Sequence, residues 1–500
     1  MKGEAGAIFM KKVGGLLGLV MLMLALAACG GKATVAPPPA PALPDAPTPT
    51  PVPPTPTPLA PAFSRPAAVR PLPTFTPAPT PMPGVLFVDP DQSLGKISPY
   101  VYGANYGPWV SLRPETLPLA QDLDLTILRW PGGEWGDKND IQPYQLDAFV
   151  ALARQLGAEP YIHVRMPGGS PQQAADLVRY ANIEKGYHIR FWGIGNEPSL
   201  YESKKGWEQW DTAYYNAQWP QFAQAMRAVD PTILILGPEI HQYTGNPLTD
   251  PKDSRGRDWM NEFLKANGDQ VDIVAIHRYP FPVKEGVPTT VDELLANPPE
   301  WDAIIPNLRR AIRKYVGRDL PIAVTEINSD WTHAIQGEAT PDSFANAIWW
   351  ADVLGRMIKH QVDIVTYFIL VTRDEQGGYG LLEGYGPRPT YDVYQLYKRF
   401  GDYLVYASSG DPEVSVYAAR RADDVLTLLF INRSEEEKRL PLWLQNFNIV
   451  GSVQIWRLDE ANGLHSLDPI EMENGDEVAL PPRSASIYLM VPACTLGKHH

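Results

Sequence analysis

Between residues 100 and 369, eight short, mostly β-branched apolar runs recur, at 100–105, 125–130, 160–165, 191–196, 232–237, 271–278, 321–327 and 362–369. Each ends in glycine, proline or polar residues and is followed by a helical pattern or a long loop. Helical periodicity occupies 145–156, 171–182, 219–229, 301–316 and 341–359. Ser170-Pro171-Gln172-Gln173 puts serine at an N-cap, proline at the first helical position and glutamine at the third, which predicts a capping box. Alternating βα units in this number predict a parallel (β/α)8 TIM barrel over 85–400, an α/β fold. Trp349 and Trp350 fall in mid-helix and are expected in its core.

Beyond residue 401 the alternation stops. Strand patterns at 415–419, 425–430, 453–457 and 486–491 are separated by turn sequences at Asn432-Arg433, Asn462-Gly463 and Asn474-Gly475. They predict a C-terminal antiparallel β-sandwich over 401–495. The run at 85–88 precedes the barrel and is expected as an edge strand of that sandwich.

Composition changes the picture at the other end. Of 52 prolines in 500 residues, 20 lie within residues 33–84. Such a segment buries no core and favours extended polyproline II at ~3.1 Å per residue, so 30–84 is expected to be a linker. Upstream, Lys11 and Lys12 precede an apolar run that ends Leu26-Ala27-Ala28-Cys29, the plan of a secretory signal over 1–29. That ending resembles the bacterial lipobox, which implies an exported, extracytoplasmic lipoprotein held to a membrane through acylated Cys29. Cys494 is the one other cysteine, so with Cys29 acylated no intramolecular disulfide forms.

Charge divides at the same place. Residues 1–84 carry a net +4 against −14 for the whole chain, leaving −18 on the rest. A surface that acidic argues against a nucleic-acid partner. No histidine or cysteine cluster has metal-ligand spacing, and Pro-Gly-Gly at 131–133 and 167–169 lacks the context of a dinucleotide site. Neither metal nor cofactor is expected.

In a (β/α)8 barrel, chemistry collects at the C-terminal ends of the strands. The fourth run ends Gly195-Asn196-Glu197-Pro198 and the seventh Thr325-Glu326-Ile327-Asn328. Two carboxylates on one rim are what hydrolysis of a glycosidic bond requires. Asn196-Glu197-Pro198 and Glu326 at these positions resemble the acid/base and nucleophile of the retaining glycoside hydrolases of clan A. The resemblance implies that Glu197, with a raised pKa, is the acid/base and Glu326 the nucleophile. It further implies that Arg129 keeps Glu326 ionised, that Asn196 meets the sugar 2-hydroxyl, and that Tyr279, in His277-Arg278-Tyr279, orients Glu326. Asn105, Trp130, His163 and Trp331 are candidate sugar contacts, and Trp109, Trp135, Trp207 and Trp210 lie in predicted loops suited to stacking on sugar rings. Glu134 and Glu239 also end strands, but no partner motif supports them and structural roles are expected.

Residues 98–105 and 128–133, with the sandwich, are similar to families 39, 44, 51 and 79. Asn196-Glu197-Pro198 departs from the Asn-Glu-Met usual in family 51. The expectation is a retaining hydrolase of plant-type polysaccharide, β-glucan-like or xylan-like. The alternatives are an α-L-arabinofuranosidase, an exo-acting β-xylosidase or glucuronidase, and, in another class, a carbohydrate-binding lipoprotein without catalysis.

Overall fold

The computed structural model describes residues 81–492, apart from 205, 282–286, 333–334 and 374–376. The signal, Cys29, all but the end of the linker and Cys494 lie outside the described residues. Among the described residues no helix is long and apolar enough to cross a membrane.

Strand β1 (Leu86–Lys96) comes first. It is followed by β2 (Gly103–Asn105), β3 (Ile127–Trp130), β4 (Glu159–Val164), β5 (Phe191–Ile194), β6 (Leu234–Ile240), β7 (Ile273–Arg278), β8 (Ile322–Ile327) and β9 (Ile364–Tyr367). Strands β2 to β9 pair in parallel and in order, and β9 closes on β2. All eight runs read from the sequence are therefore barrel strands. They are mostly apolar because helices cover the outside and side chains fill the inside.

The filling of the barrel explains where its polar residues stand. Tyr100, Ile127, Tyr161, Phe191, Leu236, Ala275, Ala323 and Ile364 form one buried cluster. Side chains two residues further along a strand point the same way. The layer above this apolar plug thus includes Arg129, His163 and His277, all fully buried.

Two of the outer helices depart from the sequence pattern. The helix Pro171–Val178 gives way to a π-helical turn at Arg179–Glu184. Of the expected capping box, the described contacts contain the bond from the Gln173 N–H to Ser170 Oγ (3.2 Å). The helix Thr212–Val229 starts well before residue 219 because Asp211 caps it, accepting from the Tyr214 N–H at 2.8 Å.

The remaining strands are β10 (Tyr403–Ser409), β11 (Val414–Arg420), β12 (Leu426–Asn432), β13 (Lys438–Leu444), β14 (Val453–Asp459), β15 (Gly463–Ile470), β16 (Glu477–Leu480) and β17 (Ser484–Met490). With β1 they form one nine-stranded sheet in the order β15-β14-β17-β12-β11-β10-β1-β13-β16, over its own apolar core. One expectation is corrected: strand β1 is not at an edge but lies between β10 and β13. The sheet is antiparallel as expected, save that β1 and β13 pair in parallel.

Sheet and barrel meet along the helix Phe344–Lys359, buried from Ala345 to Ile358, with Trp349 and Trp350 inaccessible as expected. At its centre Asp352, fully buried, pairs with Arg433 of the sheet (3.0 Å) and Arg356 (3.3 Å), and accepts from the Tyr417 hydroxyl. A Cβ on Gly355 would come 2.3 Å from the Tyr417 ring, so the ring lies against the helix backbone here as only glycine permits.

Candidate active site

Three carboxylates reach the layer above the plug, each through a local irregularity. On β8, Val324 pairs with Ile276 but Glu326 pairs with His277, so Thr325 is one residue too many. On β6, Pro238 pairs with Ala275 and Ile240 with Ile276, leaving Glu239 as the extra residue, at φ +57°. Such β-bulges re-aim a side chain that simple alternation would send to the other face. Glu197 lies just past β5 with φ +50°, a left-handed conformation uncommon outside glycine.

Arg129 joins the three strands. Its Nη1 donates to Asn105 Oδ1 (2.8 Å) and Glu326 Oε2 (3.2 Å). Its Nη2 donates to Asn196 Oδ1 (2.8 Å) and Glu239 Oε2 (3.0 Å). The Tyr279 hydroxyl donates to Glu326 Oε1 at 2.7 Å. His277 Nδ1 lies 3.1 Å from Glu197 Oε1 and 3.8 Å from Glu326 Oε2. The Glu197 side chain is 18% exposed and that of Glu326 7%, so solvent reaches the site mainly at Glu197.

One donor atom from each of Glu197, His277 and Glu326 falls within 4.8 Å of the others. Spacing along the sequence gave no hint of this cluster. Its donors are already engaged with one another, and the Arg129 guanidinium 3.2 Å from Glu326 opposes a bound cation. The trio suits proton transfer between carboxylates better than metal coordination.

The electrostatics differ from expectation in one respect. Burial and the charge of Glu197 push Glu326 up. Burial also acts on Glu197, but the His277 hydrogen bond together with the charges of His277, His241 and Lys204 outweighs it and holds Glu197 low, the reverse of the raised value expected. Two carboxyls this close titrate as a pair sharing one proton. Nearby, burial would raise Glu239, but the Arg129 charge holds it at about 2. Burial and the Arg129 charge lower His163 to about 3, so that its ring is neutral.

Other candidates fare unevenly. Asn105 and His163 are fully buried, and Asn105 Nδ2 donates to the carbonyls of Thr325 (3.0 Å) and Thr366 (3.1 Å). Trp130 is 2% exposed and stacks on Phe149 with centroids 5.1 Å apart. Asn105 and His163, at inward strand positions, support the site from beneath, while Trp130, one residue past the inward Arg129, packs against the helical layer; none of the three offers a surface to a sugar, which corrects the expectation. Asn196 is buried too, yet its Nδ2 has no hydrogen-bond partner and its amide is fixed by Arg129, leaving a donor for a ligand. Trp331, in the loop after β8, is 58% exposed and available. Trp207, Trp210, Tyr214 and Gln218 line a cavity of about 380 Å³ beside the loop after β4. Glu134 is peripheral as expected, held by Lys138 (2.6 Å) and Lys204 (2.7 Å).

Sequence reasoning undervalued Glu239 and missed Asp137. The Asn196 N–H lies 3.1 Å from both Asp137 oxygens, and the Tyr201 hydroxyl donates to Oδ1 at 2.9 Å. Asp137 thereby fixes the backbone that carries Glu197.

No protein-family model matches the chain. Among curated proteins, alpha-L-arabinofuranosidase C of Emericella nidulans is 24% identical over 213 residues, 31% of this chain and 41% of that protein. Heparanase of Bos taurus is 24% identical over 355 residues, 62% of this chain and 60% of that protein. The chain thus spans less than two thirds of these relatives' lengths. Among solved structures, the alpha-L-arabinofuranosidase of Thermotoga maritima in complex with arabinose superposes with a TM-score of 0.65 at 18% identity, covering 82% of this chain and all of that one. A family 44 xyloglucanase of Paenibacillus polymyxa gives 0.64 at 17% identity, covering 82% and 99%. A closed eight-stranded parallel barrel with a C-terminal strand-rich sheet is therefore the fold this chain has in common with clan A glycoside hydrolases of families 51 and 44.

Proposed function

We propose that the protein is a retaining glycoside hydrolase acting on plant-type polysaccharide. The observation that carries this reading is the approach of Glu197 and Glu326 oxygens to within 4.8 Å. Retaining enzymes hold their carboxyl groups ~5–5.5 Å apart and inverting ones ~6.5–9.5 Å.

In the first step a Glu326 oxygen attacks the anomeric carbon, the bond to the leaving oxygen breaks, and Glu197 gives that oxygen its proton. In the second, Glu197 takes a proton from water, the water oxygen attacks the anomeric carbon, and the bond to Glu326 breaks. The productive pair has its proton on Glu197 and its charge on Glu326, the reverse of the free pair's preference, in which Glu326 is pushed up and Glu197 held low, so the proton has to cross before the first step. Donation from Arg129 and Tyr279 favours that charge, and His277, within reach of both carboxylates, lies where the proton has to pass. Asn196 Nδ2 is placed to meet a sugar hydroxyl, and Trp331 and the Trp207–Trp210 cavity offer stacking surfaces.

The curated arabinofuranosidases give a specific reason to keep arabinofuranosyl side chains as a second substrate reading. A lipid anchor at Cys29 and a proline-rich stalk belong to the same proposal, because they suit an enzyme that meets an insoluble polymer outside the cell. Reducing-sugar release from β-glucan, xylan, xyloglucan and arabinan, with nitrophenyl glycosides alongside, separates these substrates. The Glu326→Gln variant should lose at least about a thousandfold in kcat, and NMR should find the first-formed anomer unchanged in configuration. An inverted anomer would sink the retaining assignment, and glycan binding with no hydrolysis would favour a non-catalytic binder.

A further inference from the structure

Beneath the hydrolytic pair lies a third carboxylate, which the two-step reaction does not use. Glu239 is 1% exposed, is the extra residue of the β6 bulge and holds a backbone conformation that costs a non-glycine residue energy. Its oxygens are both engaged: Tyr161 donates its hydroxyl to Oε1, and Arg129 donates Nη2 to Oε2 at 3.0 Å. On the opposite fork Arg129 reaches Glu326 at 3.2 Å, so one guanidinium stands between two carboxylates at nearly equal distances. The Glu239 carbonyl also accepts from the Glu197 N–H at 3.1 Å, which ties the same residue to the backbone of the other member of the pair.

We propose that Glu239 is a positioning residue for the hydrolytic pair: it aims the Arg129 guanidinium at Glu326 and cancels most of its charge. The proposal rests on the reading of Glu197 and Glu326 given above. Facing Glu239 are Arg129, Tyr161, His163, Tyr215 and His277. Facing Glu326 are His277, Glu197, Arg129 and Tyr279. Facing Glu197 are His277, His241 and Lys204. Within this assembly the neutral His163 adds no charge, and Glu239, held at about 2, is ionised throughout the range in which an enzyme works. Arg129 therefore orients Glu326 without exerting its full positive charge on it. Without the Glu239 charge, the unopposed guanidinium would draw the shared proton off the pair at lower pH, and Glu197 would lack the proton it must deliver.

The test uses the full chain, with Glu239→Gln keeping the shape and an acceptor for Arg129 while removing the charge. Glutamate carboxyl groups labelled with ¹³C are titrated by NMR in the wild type, Glu239→Gln and Glu326→Gln, and kcat/KM is followed against pH on a glycan the wild type hydrolyses. In Glu239→Gln the upper titration of the pair and the basic limb of the profile should move together to lower pH by about one unit. KM should change little. Tyr161→Phe, which loses a hydrogen bond to Glu239 but not its charge, should leave the limb in place. A Glu239→Gln protein that melts earlier while titration and limb stay put would overturn the proposal, as would an equal shift in Tyr161→Phe. Hydrolysis surviving in Glu326→Gln would overturn the underlying reading instead, and the NMR titration, which needs no turnover, would still decide on Glu239.

Discussion

Single residues in this protein act mostly by holding others. Asp137 is the clearest case, since it touches neither Glu197 nor Glu326 but binds the peptide N–H between Gly195 and Asn196. Burial raises its carboxyl to about 8. An unfolded aspartate ionises at ~3.9, so the proton favours the folded state most fully below that value, and the advantage is lost as pH rises to about 8. Thermal stability should accordingly decline between those limits, and Asp137→Asn, which cannot ionise, should flatten the decline. Melting temperatures measured across pH 4–8 check this, and parallel slopes in both proteins would contradict it. Glu239 behaves with the opposite sign. Depressed to about 2, it contributes stability above the ordinary glutamate range that is lost as pH falls through about 2.

At the scale of elements, what could be read from the sequence was the repeat. All eight barrel strands and the helix Trp301–Val316 lie where the apolar pattern puts them, because burial on both faces leaves a continuous apolar signature. Glu197 and Glu326 were legible because each closes such a run. Departures from alternation were not legible, since a bulge adds a residue without changing composition, and so the inward turn of Glu239 could not be seen. In the sheet, Lys438–Leu444 and Gly463–Ile470 escaped notice because they mix charged, proline and exposed positions, and their strand character comes from partners far along the chain. The bulge makes its own prediction. Deleting Thr325 restores plain alternation and leaves Glu326 two positions past the inward Ala323 and still opposite His277, so Glu326 should keep facing the interior and hydrolysis should survive in a barrel that circular dichroism reports as folded. Lost activity in a folded barrel would mean that the bulge sets the exact position of the Glu326 carboxylate and not only its face.

For the whole molecule, the decisive feature is the charged seam between barrel and sheet. Asp352 is buried among Arg356, Arg433 and Tyr417, and Asp352→Ala strands buried cations at a cost of about 3–5 kcal/mol. Thermal unfolding should then show a lowered midpoint, and separation into two transitions would indicate that the seam is what makes barrel and sheet melt together. An unchanged midpoint would show the seam to be dispensable.

Strand β1 gives this union a further property. Leu86 pairs with Ser409, more than three hundred residues away, and the whole barrel is strung between them. The chain begins its sheet, leaves to form the barrel, and returns to finish what it began, so the sheet works as a clasp closed by strands that follow the barrel in the chain. Neither domain can be cut out at a single point, and a chain interrupted between the barrel and β10 leaves β1 without either of its partners and the barrel on an unfastened scaffold.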